Sequence, residues 1–149
     1  MRIEDEIKQA TFENEYQKLA VNLLYTQKRF ETLFEQALAP YSISPEQFNV
    51  LRILKGKHPK PMGIKDIQER MLNKMSNTSR LVEKLKQKGL VERIACERDR
   101  RAVDVTLTPE GIEHLTVLNE VAATNHRRFA SLSEKEAQTL NHLLDKLRG

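Results

Sequence analysis

The stretch 76–84 carries Ser76, Asn77, Thr78, Ser79, Arg80 and Lys84, a run rich in hydroxyl, amide and cationic side chains. Arginine can pair bidentately with guanine and asparagine with adenine, whereas hydroxyl and ammonium groups suit phosphates. On helical spacing Leu81, Val82 and Leu85 form an inner stripe. Opposite it lie Ser76, Ser79, Arg80, Glu83 and Gln87, with Asn77 and Lys84 on the flanks. Arg80 and Asn77 are the expected base readers, and Lys65 and Lys74 the expected phosphate contacts. A second cluster, Arg98, Asp99, Arg100 and Arg101, holds more charge than a passive turn needs. Guanidinium groups suit a narrow, negative minor groove, and Asp99 is expected to hold Arg101 outward through a charge-assisted bond. A solvated helix face and an ordinary charged turn are the alternative readings.

The charge distribution agrees with contact to phosphates. The 149 residues carry a net charge of +4. Residues 65–101 contain eleven Lys or Arg against six Asp or Glu, and the rest of the chain has fourteen against fifteen. The whole surplus lies in one segment, the electrostatic footprint of a nucleic-acid binder.

The elements that must position these residues follow from periodicity. From 5 to 38 no Pro or Gly occurs, and Phe12, Tyr16, Leu19, Leu23, Phe30, Leu33, Phe34 and Ala37 recur at helical spacings, predicting one long helix. Pro40 ends it, and Ser44-Pro45-Glu46-Gln47 restarts a helix with Phe48, Leu51 and Leu54 inward. Residues 56–61, with one Gly and two Pro, form a turn. Ile64, Ile67 and Met71 mark a third helix, and Ser76 opens a fourth that runs to about Lys88, where Gly89 serves as its left-handed exit. Beyond it the period becomes two. Val91, Arg93 and Ala95, then Val103, Val105 and Leu107, predict a β-hairpin with the arginine cluster at its tip. Thr108-Pro109-Glu110 caps a fifth helix with Ile112, Leu115, Leu118 and Ala122 inward. Ser133 and Glu136 form a capping box for a sixth, striped by Ala137, Leu140, Leu144 and Leu147.

That order predicts a mainly α fold with a small β-hairpin wing, a winged helix-turn-helix flanked by N- and C-terminal helices. Its fourth helix would enter a major groove. Here the chain resembles the MarR family of bacterial transcriptional regulators. The resemblance rests on Ser76-Asn77-Thr78-Ser79-Arg80-Leu81-Val82-Glu83-Lys84-Leu85, Lys88-Gly89-Leu90-Val91-Glu92-Arg93, Asp99-Arg100-Arg101 and Leu107-Thr108-Pro109-Glu110-Gly111, in that order. It implies a single domain over 5–149, with dimerisation helices at 5–39 and 109–149 around a winged unit at 44–108. It further implies a homodimer on a pseudo-palindromic double-stranded operator, a repressor released by a small phenolic or other anionic effector. Through it the wing-tip Asp-x-Arg maps onto Asp99 and Arg101, and the recognition contacts onto Ser76, Asn77, Thr78 and Arg80. Tyr16, Tyr25 and Tyr41 are expected to be structural, with pocket lining as the alternative.

Other classes fit less well. The chain has no phosphate-cradling glycine loop, no G-x-S-x-G and no H-E-x-x-H, so no catalytic residue and no enzyme is expected. His58, His114, His126 and His142 do not recur at ligand spacing, so neither a metal nor a cofactor is expected. The single cysteine, Cys96, rules out an intramolecular disulfide. Its arginine neighbours leave open a redox-responsive regulator. A winged-helix protein-interaction module is the other alternative. No apolar run reaches the roughly 18 residues of a membrane span, and 1–6 lack the apolar stretch of a secretory signal, so a cytoplasmic protein without membrane contact is expected.

Overall fold

The computed structural model describes residues 1–95 and 103–149. The chain divides into two compact units, Met1–Pro45 and Glu46–Gly149.

In the first unit the single long helix expected from 5 to 38 is in fact two. Helix α1 (Ile3–Ile7) ends where Lys8 takes a left-handed conformation, φ 55°. Helix α2 (Glu15–Leu38) starts afresh behind Asn14. The Asn14 Oδ1 accepts the N–H groups of Tyr16 and Gln17 at 3.0 and 2.9 Å, and Gln17 Oε1 accepts the Glu13 N–H at 2.8 Å. An asparagine side chain that satisfies the free donors of a first turn starts a helix there, even with no Pro or Gly nearby to break one. Two carboxylates of α1 face α2. Glu4 meets Lys18 at 2.8 Å and Arg2 at 3.2 Å, and Glu6 accepts the Tyr25 hydroxyl. The Lys18 ammonium, the Glu4 backbone N–H and Arg2 together hold the Glu4 carboxyl down at about 2. After α2 a 3-10 turn (Ala39–Tyr41) carries Pro40.

The second unit is a helical layer with a small sheet. Helix α3 (Pro45–Lys55) has Phe48, Leu51 and Leu54 buried as expected, with Val50 and Ile53 beside them. Strand β1 (Met62–Gly63), helix α4 (Ile64–Arg70), helix α5 (Thr78–Gln87) and strands β2 (Val91–Ala95) and β3 (Val103–Leu107) follow. The sheet is antiparallel in the order β1-β3-β2, with Met62 opposite Val105 and Val91 opposite Leu107. The expected hairpin is present, and β1 is an addition to it that two residues are too few to announce by a period of two.

Helix α6 (Pro109–His126) is capped by Thr108, whose hydroxyl accepts the Gly111 N–H at 3.0 Å, and it buries Leu115, Leu118 and Ala122. A 3-10 turn (Arg127–Ser131) leads to α7 (Glu134–Arg148). The expected Ser133–Glu136 capping box is complete and lowers the Glu136 pKa, chiefly through the Ser133 backbone N–H. The α7 stripe is not inward in this single chain. Ala137 and Leu144 are half-buried, Leu140 and Leu147 are exposed, and no residue of α7 is buried.

Candidate nucleic-acid interface

The fourth helix is capped one residue later than the sequence suggests. Asn77, not Ser76, is the N-cap of α5, and its Oδ1 accepts the Arg80 backbone N–H at 3.0 Å. The amide oxygen keeps a second lone pair and the side chain is exposed, so the cap adds a structural role to the adenine reading expected of Asn77. Thr78 is displaced from its expected role. It is 2% exposed, and its hydroxyl is hydrogen-bonded to Gln68 Oε1, so it packs α5 on α4 with Val82 and Leu85 and faces no groove. Leu81 is half-buried.

What remains on the open face is cationic and polar. Ser79, Arg80 and Lys84 are exposed, and Ser76 is half-buried just before the cap. Lys65 on α4 is exposed, and so is Lys74, whose ammonium donates to the Glu69 carbonyl. Lys88 at the end of α5 donates to Gln47 Oε1 at 3.2 Å, and burial first, then the nearby Lys84 cation, pushes its pKa down.

The helix is anchored at both ends. At its start, Gln68 Nε2 donates to the Lys74 carbonyl at 2.7 Å, Asn73 Oδ1 accepts the Met75 N–H at 3.0 Å, and Asn49 Oδ1 accepts the Leu72 N–H at 2.9 Å. At its end, Gly89 takes φ 72°, the Leu90 N–H reaches the Leu85 carbonyl at 3.1 Å and the Gly89 N–H reaches Lys86 at 2.9 Å. This is a Schellman exit, in which a glycine is favoured because a Cβ strains positive φ. The return strand is tied to the same turn. The Thr108 hydroxyl donates to the Gly89 carbonyl at 2.6 Å and the Thr108 N–H to the Leu90 carbonyl at 3.2 Å. Gly111 lets α6 approach so closely that a Cβ there would lie 2.0 Å from the Leu90 carbonyl oxygen.

Strand β2 holds the middle of α5. Arg93 Nη1 meets Glu83 Oε2 at 2.9 Å and Nη2 reaches the Ser79 carbonyl at 3.4 Å, so Glu83 is turned toward the sheet and off the open face where the sequence reading had it. Gln68, Asn73, Asn49 and Arg93 are the positioning residues that sequence reading missed. Only Asn73, in a visible helix break, carried a local signal. The four wing residues Arg98, Asp99, Arg100 and Arg101 lie outside the described residues, as does Cys96. Of the tyrosines, Tyr16 is exposed, while Tyr25 and Tyr41 are half-buried. Among the described residues no group of three or more His, Cys, Asp or Glu could hold a metal ion, and no helix is long and apolar enough to cross a membrane.

A two-helix unit whose second helix presents Arg80 and Lys84, backed by a three-stranded sheet, defines a winged helix-turn-helix. The MarR family sequence profile matches residues 43–103. The transcriptional repressor MdtR of Bacillus subtilis is 32% identical over 87% of this chain and 82% of its own length. The transcriptional regulator PecS of Dickeya dadantii is 32% identical over 82% of this chain and 77% of its own length. Among solved structures, a cysteine-to-serine mutant of MarR from E. coli complexed with operator DNA superposes with a TM-score of 0.80 at 24% identity, covering 93% of this chain and 99% of that one. The organohalide-sensing regulator RdhR in its 2,4-dichlorophenol-bound form gives a TM-score of 0.82 at 20% identity, over 94% and 85%. The chain belongs to the MarR family and is a winged-helix transcriptional regulator.

Proposed function

We propose that this protein is a cytoplasmic, homodimeric repressor that binds a pseudo-palindromic double-stranded operator and leaves it when a small phenolic or other anionic effector binds. The observation that carries this reading is the open face of α5, where Ser79, Arg80 and Lys84 stay exposed while Thr78, Val82 and Leu85 are buried beneath them. In the bound form the start of α5 lies in the major groove, with Arg80 on a base edge. Lys65, Lys74 and Lys84 face phosphates, and Arg98, Arg100 and Arg101 face the minor groove with Asp99 orienting Arg101.

The dimer is supported by each unit separately. Of the 24 residues of α2 only Leu38 is buried, and Leu19, Leu23 and Leu24 are exposed. On α7, Leu140, Leu143 and Leu147 are exposed. Apolar stripes of this extent are covered when two copies meet about a two-fold axis, in which case 5–149 works as one domain. The effector arm is supported by the dichlorophenol-bound relative, and the regulator names of the relatives support a protein that is not an enzyme.

The test is selection of bound duplexes from a random pool at two salt concentrations, together with the solution mass. The expected result is a dimer enriching one palindrome with half-sites about 10 to 10.5 base pairs apart or a multiple of it. Affinity should fall by about 0.9 log units per log unit of salt for each phosphate neutralised. A dimer that enriches no sequence at either salt would sink the DNA reading. Displacement of the selected duplex by a panel of phenols and aromatic carboxylates tests the effector arm.

A further inference from the structure

We propose that Met75, in the turn leading into α5, is a specificity-determining contact that packs its thioether side chain on the 5-methyl group of a thymine in each half-site. The proposal rests on the DNA-binding reading above and goes beyond it to one base pair. Among the described residues Met75 is the most exposed large apolar side chain, at 92%, with Leu72 at the other end of the same turn at 89%. The fold does not use either side chain for packing, yet the turn that carries them is closely held. The Leu72 N–H is bound by Asn49, the Met75 N–H and Ser76 N–H by Asn73, and the Lys74 carbonyl by Gln68. Met75 is thus offered on a preorganised backbone, so little ordering opposes its burial against a partner.

Its place selects the partner. Met75 precedes the Asn77 cap by two residues, and the N-terminus of a recognition helix is the part that enters the major groove. The neighbouring Lys74, Ser79 and Arg80 offer hydrogen bonds and charge. In the major groove the apolar feature that distinguishes one base from the others is the thymine methyl. An unbranched, polarisable thioether adapts well to such a contact.

The test replaces each thymine of the selected operator by deoxyuridine, one symmetric pair at a time, which deletes only the methyl group. The parent protein is expected to lose about five- to tenfold in affinity at one thymine position. Met75→Ala should lose about as much on the unmodified duplex and nothing further on the deoxyuridine duplex, while Met75→Leu restores most of the loss. Because the side chain is exposed, Met75→Ala should denature like the parent, which separates a lost contact from a lost fold. The proposal is overturned if Met75→Ala binds the unmodified operator as the parent does, or keeps the parent's full deoxyuridine profile. In either case the DNA-binding function stands. A parent that binds no duplex overturns both.

Discussion

The Arg93 guanidinium on β2 and the Glu83 carboxylate on α5 meet at 2.9 Å, and the same guanidinium reaches the Ser79 carbonyl one turn earlier. Strand β2 is thereby clipped to the sheet-facing side of α5. One side chain thus ties β2 to α5 at two points.

Arg93→Met keeps the stem and removes both polar links. The pair is partly exposed, so a double-mutant cycle with Glu83→Gln, read by urea denaturation, should give a coupling of about 0.2–1 kcal/mol. Operator affinity should fall in both single variants. Additive effects within error in both measurements would mean that the clip has no mechanical role.

Gly111→Ala sets two effects against each other. Helix propensity alone would favour alanine by roughly 0.5–1 kcal/mol. The added Cβ would lie 2.0 Å from the Leu90 carbonyl oxygen, a backbone atom held by the Thr108 N–H. The clash should win, with a net loss of about 1–3 kcal/mol in chemical denaturation. Gly89→Ala, at φ 72°, should lose about 1 kcal/mol for a different reason, backbone strain. A stabilised Gly111→Ala would show that α6 can move away from the turn.

At the proposed interface, Arg80→Ala should cost about 1–3 kcal/mol on the preferred operator and relax selection at one base pair. Lys84→Ala should weaken all duplexes alike and make the slope of log affinity against log salt shallower by about one. Repeating the duplex selection and the salt titration with each variant separates the two roles.

For the dimer, a charge placed on the open stripe of α7 should separate the copies. Leu143→Asp, at an exposed position, should leave the monomer folded and shift sedimentation toward half the parent mass. An unshifted dimer would place the contact elsewhere.

The pairing of α1 with α2 should depend on pH in one direction. Glu4 is held down at about 2, first by Lys18 and then by the backbone N–H of Glu4 itself, against an ordinary value of 4.5. A depressed carboxyl favours the paired state while ionised, so the contribution is present above 4.5 and lost as pH falls toward 2. A carboxyl NMR titration should find the Glu4 midpoint near 2 in the parent and shifted upward in Lys18→Met, still below the ordinary value because the backbone N–H and Arg2 remain. An ordinary midpoint in the parent would show that α1 does not hold to α2 in solution.

Much of the fold was legible because the winged unit is built from local codes. Capping residues such as Thr108 and Ser133, the glycine exit at Gly89, the 3.6-residue stripe of α3 and the alternation of Val103, Val105 and Leu107 each depend on neighbours close in sequence. The surplus of positive charge over 65–101 depends only on composition. The remainder needed three dimensions. Strand β1 exists because β3 offers it an edge, Thr78 is buried with its hydroxyl bound to Gln68, and Glu83 is drawn to the sheet by Arg93 of β2. Asn77 lies between the two, since a local cap gives an exposed side chain at the start of α5 a structural role as well. Sequence by itself determined the helices from α3 onward, the hairpin and the family to which they belong, because short-range hydrogen bonding and periodic burial are written residue by residue. Tertiary structure alone decided which polar side chains of α5 remain free, because contacts between residues distant in the chain compete for the same donors and acceptors.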